Sequence, residues 1–263
     1  MKRLFVVLSV FSLFGVLGVL AAQESGWRLG AAHGERLYYR IRWLGVPSAD
    51  ASLQLEQNKG YKITAKLATT GAARMLKTIN ETLSADGEHR DGAFIGRHFV
   101  KDQQRGDQTR WTSYLFDRAM HQVLRRHRPQ EGKPEERMVI AVEGEQVNDP
   151  LSAVYAVRAW PELLLGRTLE RVVVDGEKAF CLTVTVGGSE TWQGELGTFR
   201  AFALHVVVEN SETLRQRGPI QLLVTDDARR IPLQIEAQLA IGAVVAELVG
   251  YDDGRGESRR LPE

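Results

Sequence analysis

Residues 149–160, DPLSAVYAVRAW, predict a helix in a chain otherwise dominated by strand patterns. Asp149 is a favourable helix N-cap, Pro150 suits the first helical position, and Pro161 ends the helix. Apolar side chains lie nearly all the way round this helix: Leu151, Val154, Tyr155, Val157 and Trp160. Because no face is left polar, we expect other elements to surround the helix.

The sequence on either side of this helix alternates apolar and polar residues with the period of half-buried strands. In the run 36–43, Leu37, Tyr39, Ile41 and Trp43 share one face. Turn formers at 45–48 and 58–60 join the first three strands into an antiparallel meander. Candidate strands cover approximately 36–43, 51–56, 61–67, 78–88, 94–103, 109–117, 120–127, 136–143, 169–174, 177–187, 190–196, 198–208, 219–225, 231–240 and 243–251.

This number of strands is too large for one flat open sheet. The sequence therefore predicts a mainly β fold with a minor α component: a strongly curved antiparallel sheet, or half-open β-barrel, wrapped around one buried helix. Pro232 indicates an edge or the start of a strand. Residues 71–77 predict a second, short helix.

The N-terminal residues resemble a secretory signal. A basic start at 1–3 precedes an uncharged, mostly apolar run at 4–20 and the small residues Ala21 and Ala22. We expect a signal peptide over 1–22, cleaved after Ala21 or Ala22, and a periplasmic protein. The alternative is an uncleaved anchor, although the run is slightly shorter than the ~20 residues of a spanning helix. No cysteine follows the run, which excludes lipid attachment there.

Composition narrows the classes of function. Apolar residues make up 43% of the chain and charged residues 25%, as in ordinary globular proteins. The net charge of +1 argues against a nucleic-acid partner, and no later apolar run could span a bilayer. We expect one β-rich domain over 23–251 and a flexible polar tail over 252–263. The single cysteine, Cys181, cannot form an internal disulfide and is predicted to be buried and inert in a strand.

The sequence displays no catalytic constellation, no metal site and no cofactor motif. Ser152 follows Asp149, but no Gly-x-Ser-x-Gly elbow surrounds it, and helix capping explains both residues. Asp226 and Asp227 are typical of a turn before a strand. The six histidines form no pair at metal-ligand spacing on a helix. The basic run 125–128 favours a charge-protected, solvated edge strand; contact with phosphates of envelope lipids or glycans is the alternative.

Three segments resemble a bacterial envelope family of unknown function, DUF3108. They are the helix motif at 149–155, a hairpin at 190–202 containing ETW and GTFRAF, and C-terminal strands at 225–232 and 242–248. The segment at 43–46, WLGV, also fits the family pattern. The resemblance implies a half-open β-barrel on a helix, similar in architecture to periplasmic lipoprotein carriers. It implies no catalytic residues.

These observations favour a non-enzymatic periplasmic protein that binds a hydrophobic ligand or envelope component: a lipid, an acyl chain or a lipoprotein. The residues expected to line the ligand site are Leu37, Tyr39, Trp43, Trp111, Tyr155 and Trp160. The alternative for these large side chains is plain core packing. The second hypothesis for function is a structural or assembly partner in an envelope complex. The third is an envelope hydrolase using Asp149, Asp226 or Asp227.

Overall fold

A computed structural model describes residues 34–90, 93–144, 147–208, 220–239, 241–254 and 258–259. The predicted signal peptide lies outside the described residues. The described residues form sixteen strands and two helices. The helices are α1 (Gly71–Leu76) and α2 (Pro150–Arg158). The strands are β1 (Arg36–Trp43), β2 (Val46–Gln57), β3 (Tyr61–Thr69), β4 (Ile79–Arg90), β5 (Ala93–Arg105), β6 (Gln108–Asp117), β7 (Gln122–Arg128), β8 (Glu136–Ala141), β9 (Val147–Asn148), β10 (Thr168–Asp175), β11 (Lys178–Gly194), β12 (Gly197–Val208), β13 (Ile220–Thr225), β14 (Pro232–Gln238), β15 (Ala243–Asp252) and β16 (Ser258–Arg259).

All strands belong to one curved, unclosed sheet, as the alternation predicts. Strands β1 to β8 follow one another as a meander, and β1 also pairs with β15. The sheet continues through β14, β13, β12, β11 and β10 to β9, so its two ends are β8 and β9. Neighbouring strands are antiparallel except β9 and β10. Strand β14 begins at Pro232, in agreement with the prediction.

Two strands differ from the sequence expectation. Strand β11 runs continuously over 17 residues, where the glycines at 187 and 188 suggest a break between two strands. The register with β12 shifts between Val186 and Ser189, so a bulge accommodates the glycines without ending the strand. Within the predicted tail, Ser258 and Arg259 pair with β15, a contact that the polar composition does not indicate.

Helix α2 is buried along its whole length. Its neighbours are β3, β4 and β5 from one part of the sheet and β9 and β10 from its far end. Asp149 caps the helix as predicted, because one carboxylate oxygen accepts from Leu151 N at 2.9 Å and Ser152 N at 3.0 Å. The predicted short helix is present as α1.

The helix lies across one end of the rolled sheet, which we call the helix rim. Ser152 meets Tyr61, the first residue of β3, with 2.7 Å between their hydroxyl oxygens. At the other end of α2, Arg158 bonds Glu35, just before β1, and the carbonyl of Arg229, just before β14. Strands β1, β3 and β14 run in the same direction, because neighbouring strands of this sheet are antiparallel. Glu35, Tyr61 and Arg229 each lie at the start of one of these strands, so the three contacts are at the same end of the sheet. The connections β1–β2, β3–β4 and β14–β15 lie at the opposite end, the far rim.

Arg158 and Glu35 form a buried ion pair that fixes the C-terminal end of α2. Their side chains are 1% and 0% exposed, and two hydrogen bonds of 2.6 and 2.9 Å join guanidinium and carboxylate. Arg158 Nη2 also donates to the carbonyl of Arg229, and Nε donates to the carbonyl of Arg230. Burial alone would lower the pKa of Arg158, but the Glu35 carboxylate outweighs burial and holds this pKa above its ordinary value.

Candidate ligand-binding site

Residues that are paired from one strand to the next form rows across the inner face of the sheet. Along two of these rows, the side chains change from apolar to charged. On β1 to β4, one row consists of Leu37, Leu53, Ala65 and Leu83. On β5 to β8, the same row continues as Lys101, Thr112, His127 and Glu136. The next row passes from Leu55, Ile63, Ala85 and Phe99 to Tyr114 and Arg125. Side chains in one row lie on one face, so the concavity has an apolar half on β1 to β4 and a charged half on β5 to β8. A third row of the charged half, Phe116, Val123 and Ile140, remains buried and apolar.

The charged half forms one connected group, which we call the inner-face cluster. Its members are Glu81, Lys101, Arg105, Arg110, Thr112, Tyr114, Arg125, His127 and Asp175. Lys101 Nζ lies 2.7 Å from Asp175 Oδ1, which joins β5 to the end of β10. The Tyr114 hydroxyl donates to Gly176 O at 3.2 Å and accepts from Gly176 N at 2.9 Å. These contacts bring together strands that are far apart in the sheet order.

Glu81 is the deepest acid of the cluster, with 3% of its surface exposed. One carboxylate oxygen accepts from Gln103, whereas the buried Oε2 has no hydrogen-bond partner among the described residues. Burial raises the pKa of Glu81 against the lowering effect of Lys101. Buried polar atoms are almost always hydrogen-bonded, so an unpartnered carboxylate oxygen marks a place of unusual chemistry.

Arg125 brings a buried cation to the same face from β7. Its side chain is 7% exposed, and its nearest carboxylate, on the exposed Glu177, lies 3.8 Å away. Within the described chain, Arg125 Nε has no hydrogen-bond partner. His127 lies one row further on, with Nδ1 2.9 Å from the Thr112 hydroxyl, and burial and Arg125 lower its pKa.

The cluster carries an excess of positive charge. Among its members, the cations are Lys101, Arg105, Arg110 and Arg125 and the carboxylates are Glu81 and Asp175, giving four minus two, or +2. Two exposed carboxylates lie at the margin of the cluster: Glu136, paired with His127, and Glu177, 3.8 Å from Arg125. Arg171 occupies an inner-face position on β10, opposite the buried Leu182. Burial lowers the pKa of Arg171 to about 10, and its Nε has no hydrogen-bond partner among the described residues. Guanidinium groups held in this way are suited to bind a carboxylate or phosphate.

The basic run 125–128 therefore differs from its predicted role. Strand β7 pairs with both β6 and β8, so it is not an edge strand. Alternation turns Arg125 inward and leaves Arg126 on the outer face, where Arg126 bonds Glu135 at 2.8 and 2.9 Å. The prediction that this run forms an edge strand is wrong, because β8, and not β7, is the last strand on this side of the sheet.

Three of the predicted lining residues lie in the core. Leu37, Tyr39 and Tyr155 are 0–1% exposed. The Tyr39 hydroxyl donates to Pro232 O at 3.0 Å, and the Tyr155 ring lies 4.8 Å from the Arg158 guanidinium. The structure thus brings Tyr39 and Tyr155 together beside the Arg158–Glu35 ion pair, on the apolar side of the concavity.

The three predicted tryptophans are separated from one another and only partly buried. Trp43 Nε1 donates to Ile241 O at 2.8 Å, at the far rim. Trp111 lies on β6, and its ring centroid is 5.7 Å from the guanidinium carbon of Arg126 and 5.9 Å from that of Arg128. Trp160 follows α2 and packs against the core.

Sequence reasoning missed the inner-face cluster, although a signal was present. In β4, Ile79, Glu81, Leu83 and Ala85 share one face, so Glu81 stands at an inward position. In β5, Phe99 and Lys101 are inward in the same way. A charge at an inward position of an alternating strand is the pattern that could have revealed the cluster.

Two clefts indent the surface near the helix rim, the larger with a mainly polar lining and the smaller with a mainly apolar one. The larger, about 670 Å³, lies between the β2–β3 turn and the β4–β5 hairpin, and the other is about 410 Å³. The larger cleft reaches Tyr61, whose hydroxyl leads through Ser152 to the buried Asp149. None of the six predicted lining residues borders either cleft.

The residues considered for catalysis have structural roles in the described chain. Asp149 caps α2, and Asp227 accepts from the backbone of Arg229 and Arg230 in the β13–β14 turn.

Cys181 lies in β11 as predicted but is only half-buried. No group of three potential metal ligands occurs among the described residues. Within the same residues, no helix is long and apolar enough to cross a membrane.

The titration of Asp149 leads to a prediction for stability. Burial raises its pKa from 3.8 to about 6, against the lowering effect of its hydrogen bonds. As pH falls through 6, the folded state takes up a proton before the unfolded state does, so stability rises. We expect a gain of about 1 kcal/mol between pH 7 and pH 5 from this group.

Urea unfolding at both pH values measures this gain. Asparagine also caps helices, so Asp149→Asn is the matched variant, and it should lose the Asp149 part of the gain. The contribution of Glu81, which has the same sign, remains in both proteins and cancels in the comparison. An identical pH response of wild type and variant would show that Asp149 does not titrate in this range.

The chain belongs to the DUF3108 family of proteins of unknown function, whose sequence profile matches residues 38–249. This confirms the resemblance found in the helix motif and the C-terminal strands. No curated protein sequence is significantly similar to the chain.

Among solved structures, the chain is similar to a β-barrel-like DUF1849 protein from Brucella abortus. Identity is 8% and the TM-score 0.58, with 84% of this chain and 98% of that one covered. An exported-type protein with a YmcC-like fold from Bacteroides fragilis has 11% identity, a TM-score of 0.35 and coverage of 87% and 100%. A lipoprotein-type structure from Parabacteroides distasonis has 9% identity, a TM-score of 0.34 and coverage of 88% and 100%. The first similarity supports the β-barrel-like fold.

Proposed function

We propose that the protein is a non-enzymatic binding protein of the bacterial periplasm, and that its ligand is an amphiphile with an anionic head group. The inner-face cluster receives the carboxylate or phosphate. The acyl part enters the apolar half of the inner face, where Leu37 and Leu83 already pack with 0–1% exposure, so binding has to part this packing. The observation that carries the proposal is the row running from Leu37 through Leu83 to Lys101 and His127.

The energetics of burial support an anionic partner. A buried charge is costly unless it is paired and hydrogen-bonded. The cluster holds two more cations than carboxylates, and Arg125 and Arg171 each keep a buried, unpartnered Nε. An anionic head group would supply the acceptors that these atoms lack. An uncharged ligand would not supply these acceptors.

Binding of a fluorescent fatty acid to the purified protein tests the proposal. We expect Arg125→Gln to weaken binding at least about tenfold, the effect of losing one charge-assisted hydrogen bond. Arg126→Gln is the matched control, because it removes the same charge from the next residue on the outer face. A long-chain alcohol should compete poorly, since it lacks the anionic group.

Native mass spectrometry of protein isolated from cells provides the complementary measurement. We expect an acidic lipid or acyl ligand to remain bound. Absence of any such ligand, together with no binding of the fatty acid, would overturn the proposal. Equal weakening by Arg125→Gln and Arg126→Gln would show that the inner-face cluster is not the site. The thermal unfolding midpoint of each variant separates lost binding from lost folding.

The second candidate, an assembly partner, is favoured by one observation. Strand β8 ends the sheet, and five of its six residues are exposed, including Val139 at 58%. An exposed edge offers unpaired backbone groups to an extended segment of another protein. Crosslinking through β8 in intact cells would then trap a protein while no amphiphile co-purifies.

A further inference from the structure

The far rim exposes large apolar side chains on three neighbouring connections. Leu44 and Val46 lie at the β1–β2 turn and are 58% and 55% exposed. Met75 of α1, between β3 and β4, is 90% exposed, and Ile241 of the β14–β15 turn is 55% exposed. Single exposed apolar residues need no explanation, but a group of four at one end of a sheet does.

Hydrogen bonds hold these connections side by side. Leu44 N donates to Ala243 O at 3.2 Å, and the Trp43 indole donates to Ile241 O at 2.8 Å, which ties the first turn to the last. Thr70 N donates to Ser48 O at 3.0 Å, which ties the segment leading into α1 to β2. The connections that carry the four apolar side chains therefore lie side by side on the rim.

The charges on these connections are of one sign. Within 44–48, 70–78, 239 and 241–242, the charged residues are Arg74 and Lys77. Exposed carboxylates follow outside these ranges, at Asp50 on β2 and at Asp107 in the β5–β6 turn, which Gly106 N joins to Thr78 O at 2.8 Å. Projecting apolar side chains with cations beside them match the interface of an anionic bilayer: the tips enter the acyl boundary and the cations meet phosphates. Trp43, half-buried with its indole N–H satisfied, is a residue type enriched at that depth.

We propose that the far rim docks the protein on an anionic lipid surface. A second copy of the chain fits less well, because a symmetric contact would set Arg74 and Lys77 against the same cations. The apolar residues are tips of separate turns and a short helix, which suits insertion among lipids. Docking goes beyond the proposed function, since it uses residues outside the inner face and does not require that face to be occupied.

Co-sedimentation with vesicles tests the docking. We expect the protein to bind vesicles of phosphatidylcholine and phosphatidylglycerol and to bind phosphatidylcholine vesicles weakly. The double variant Met75→Ser and Ile241→Ser should bind the anionic vesicles at least about tenfold more weakly, because two apolar side chains no longer enter the interface.

The matched control makes the same kind of change at the helix rim. Met120 and Leu165 are 66% and 77% exposed and lie in the β6–β7 turn and the α2–β10 connection. The double variant Met120→Ser and Leu165→Ser should bind vesicles like the wild type. Both double variants should keep the wild-type unfolding midpoint and the wild-type affinity for a fluorescent fatty acid.

Several outcomes would overturn the docking proposal. These are no binding of the wild type to anionic vesicles, equal weakening by the two double variants, or concentration-dependent dimerisation that Met75→Ser and Ile241→Ser abolish. Loss of vesicle binding with intact fatty-acid binding would leave the proposed function standing. Failure of fatty-acid binding with intact vesicle binding would overturn only the proposed function.

Discussion

Replacing Arg158 with methionine is expected to lower the free energy of unfolding by about 3–5 kcal/mol, because it leaves the Glu35 carboxylate buried without a cation. Glu35 is 0% exposed, and both of its oxygens accept from Arg158. The same substitution leaves the carbonyls of Arg229 and Arg230 without these donors. Urea unfolding followed by circular dichroism measures the change.

A double-mutant cycle separates the ion pair from the packing around it. Replacing a buried ion pair by apolar groups is often close to neutral, so Glu35→Gln combined with Arg158→Met should recover part of the loss. Arg40→Met is the matched control: its ion pair with Glu195 is roughly one-third exposed on both sides. Exposed pairs contribute about 0–1 kcal/mol. If Arg158→Met and Arg40→Met lowered the free energy of unfolding by similar amounts, the Arg158–Glu35 ion pair would not be what fixes the C-terminal end of α2.

Replacing Phe99 with alanine is expected to lower the free energy of unfolding by about 3–5 kcal/mol, through lost burial and the cavity left behind. Phe99 is fully buried on β5, and its ring stacks on Tyr114 with centroids 5.6 Å apart. It stands where the apolar rows meet the inner-face cluster. The loss therefore removes packing beneath Tyr114, which bonds the β10–β11 turn.

Two further variants check the packing explanation. Phe99→Leu keeps most of the volume and should lose clearly less stability than Phe99→Ala. Leu115→Ala on the neighbouring strand removes a side chain that is 44% exposed on the outer face. It should change the free energy of unfolding by less than about 1 kcal/mol. An equal effect of Phe99→Ala and Leu115→Ala would mean that the inner face is not the packed face.

The candidate site was less predictable than the fold. Alternation assigns each residue to a face of its own strand, so Lys101 and Arg125 could be placed inward individually. Their proximity depends on the register of β5, β6 and β7, which side-chain patterns do not encode directly. The meeting of Lys101 with Asp175 depends further on how the sheet curls, since 74 residues separate the two.

Local sequence patterns specify the individual helices and strands. Period-2 alternation identified most strands, and the Asp149 cap with Pro150 and Pro161 identified a helix that other elements had to surround. These signals are short-range and repeat along the chain. Three features emerge from the tertiary structure: α2 crosses one rim, Arg158 pairs with Glu35, and charged side chains gather on one part of the concavity. The reason is physical: those features arise from pairings between distant strands, and one residue of register or a different curvature would rearrange them all.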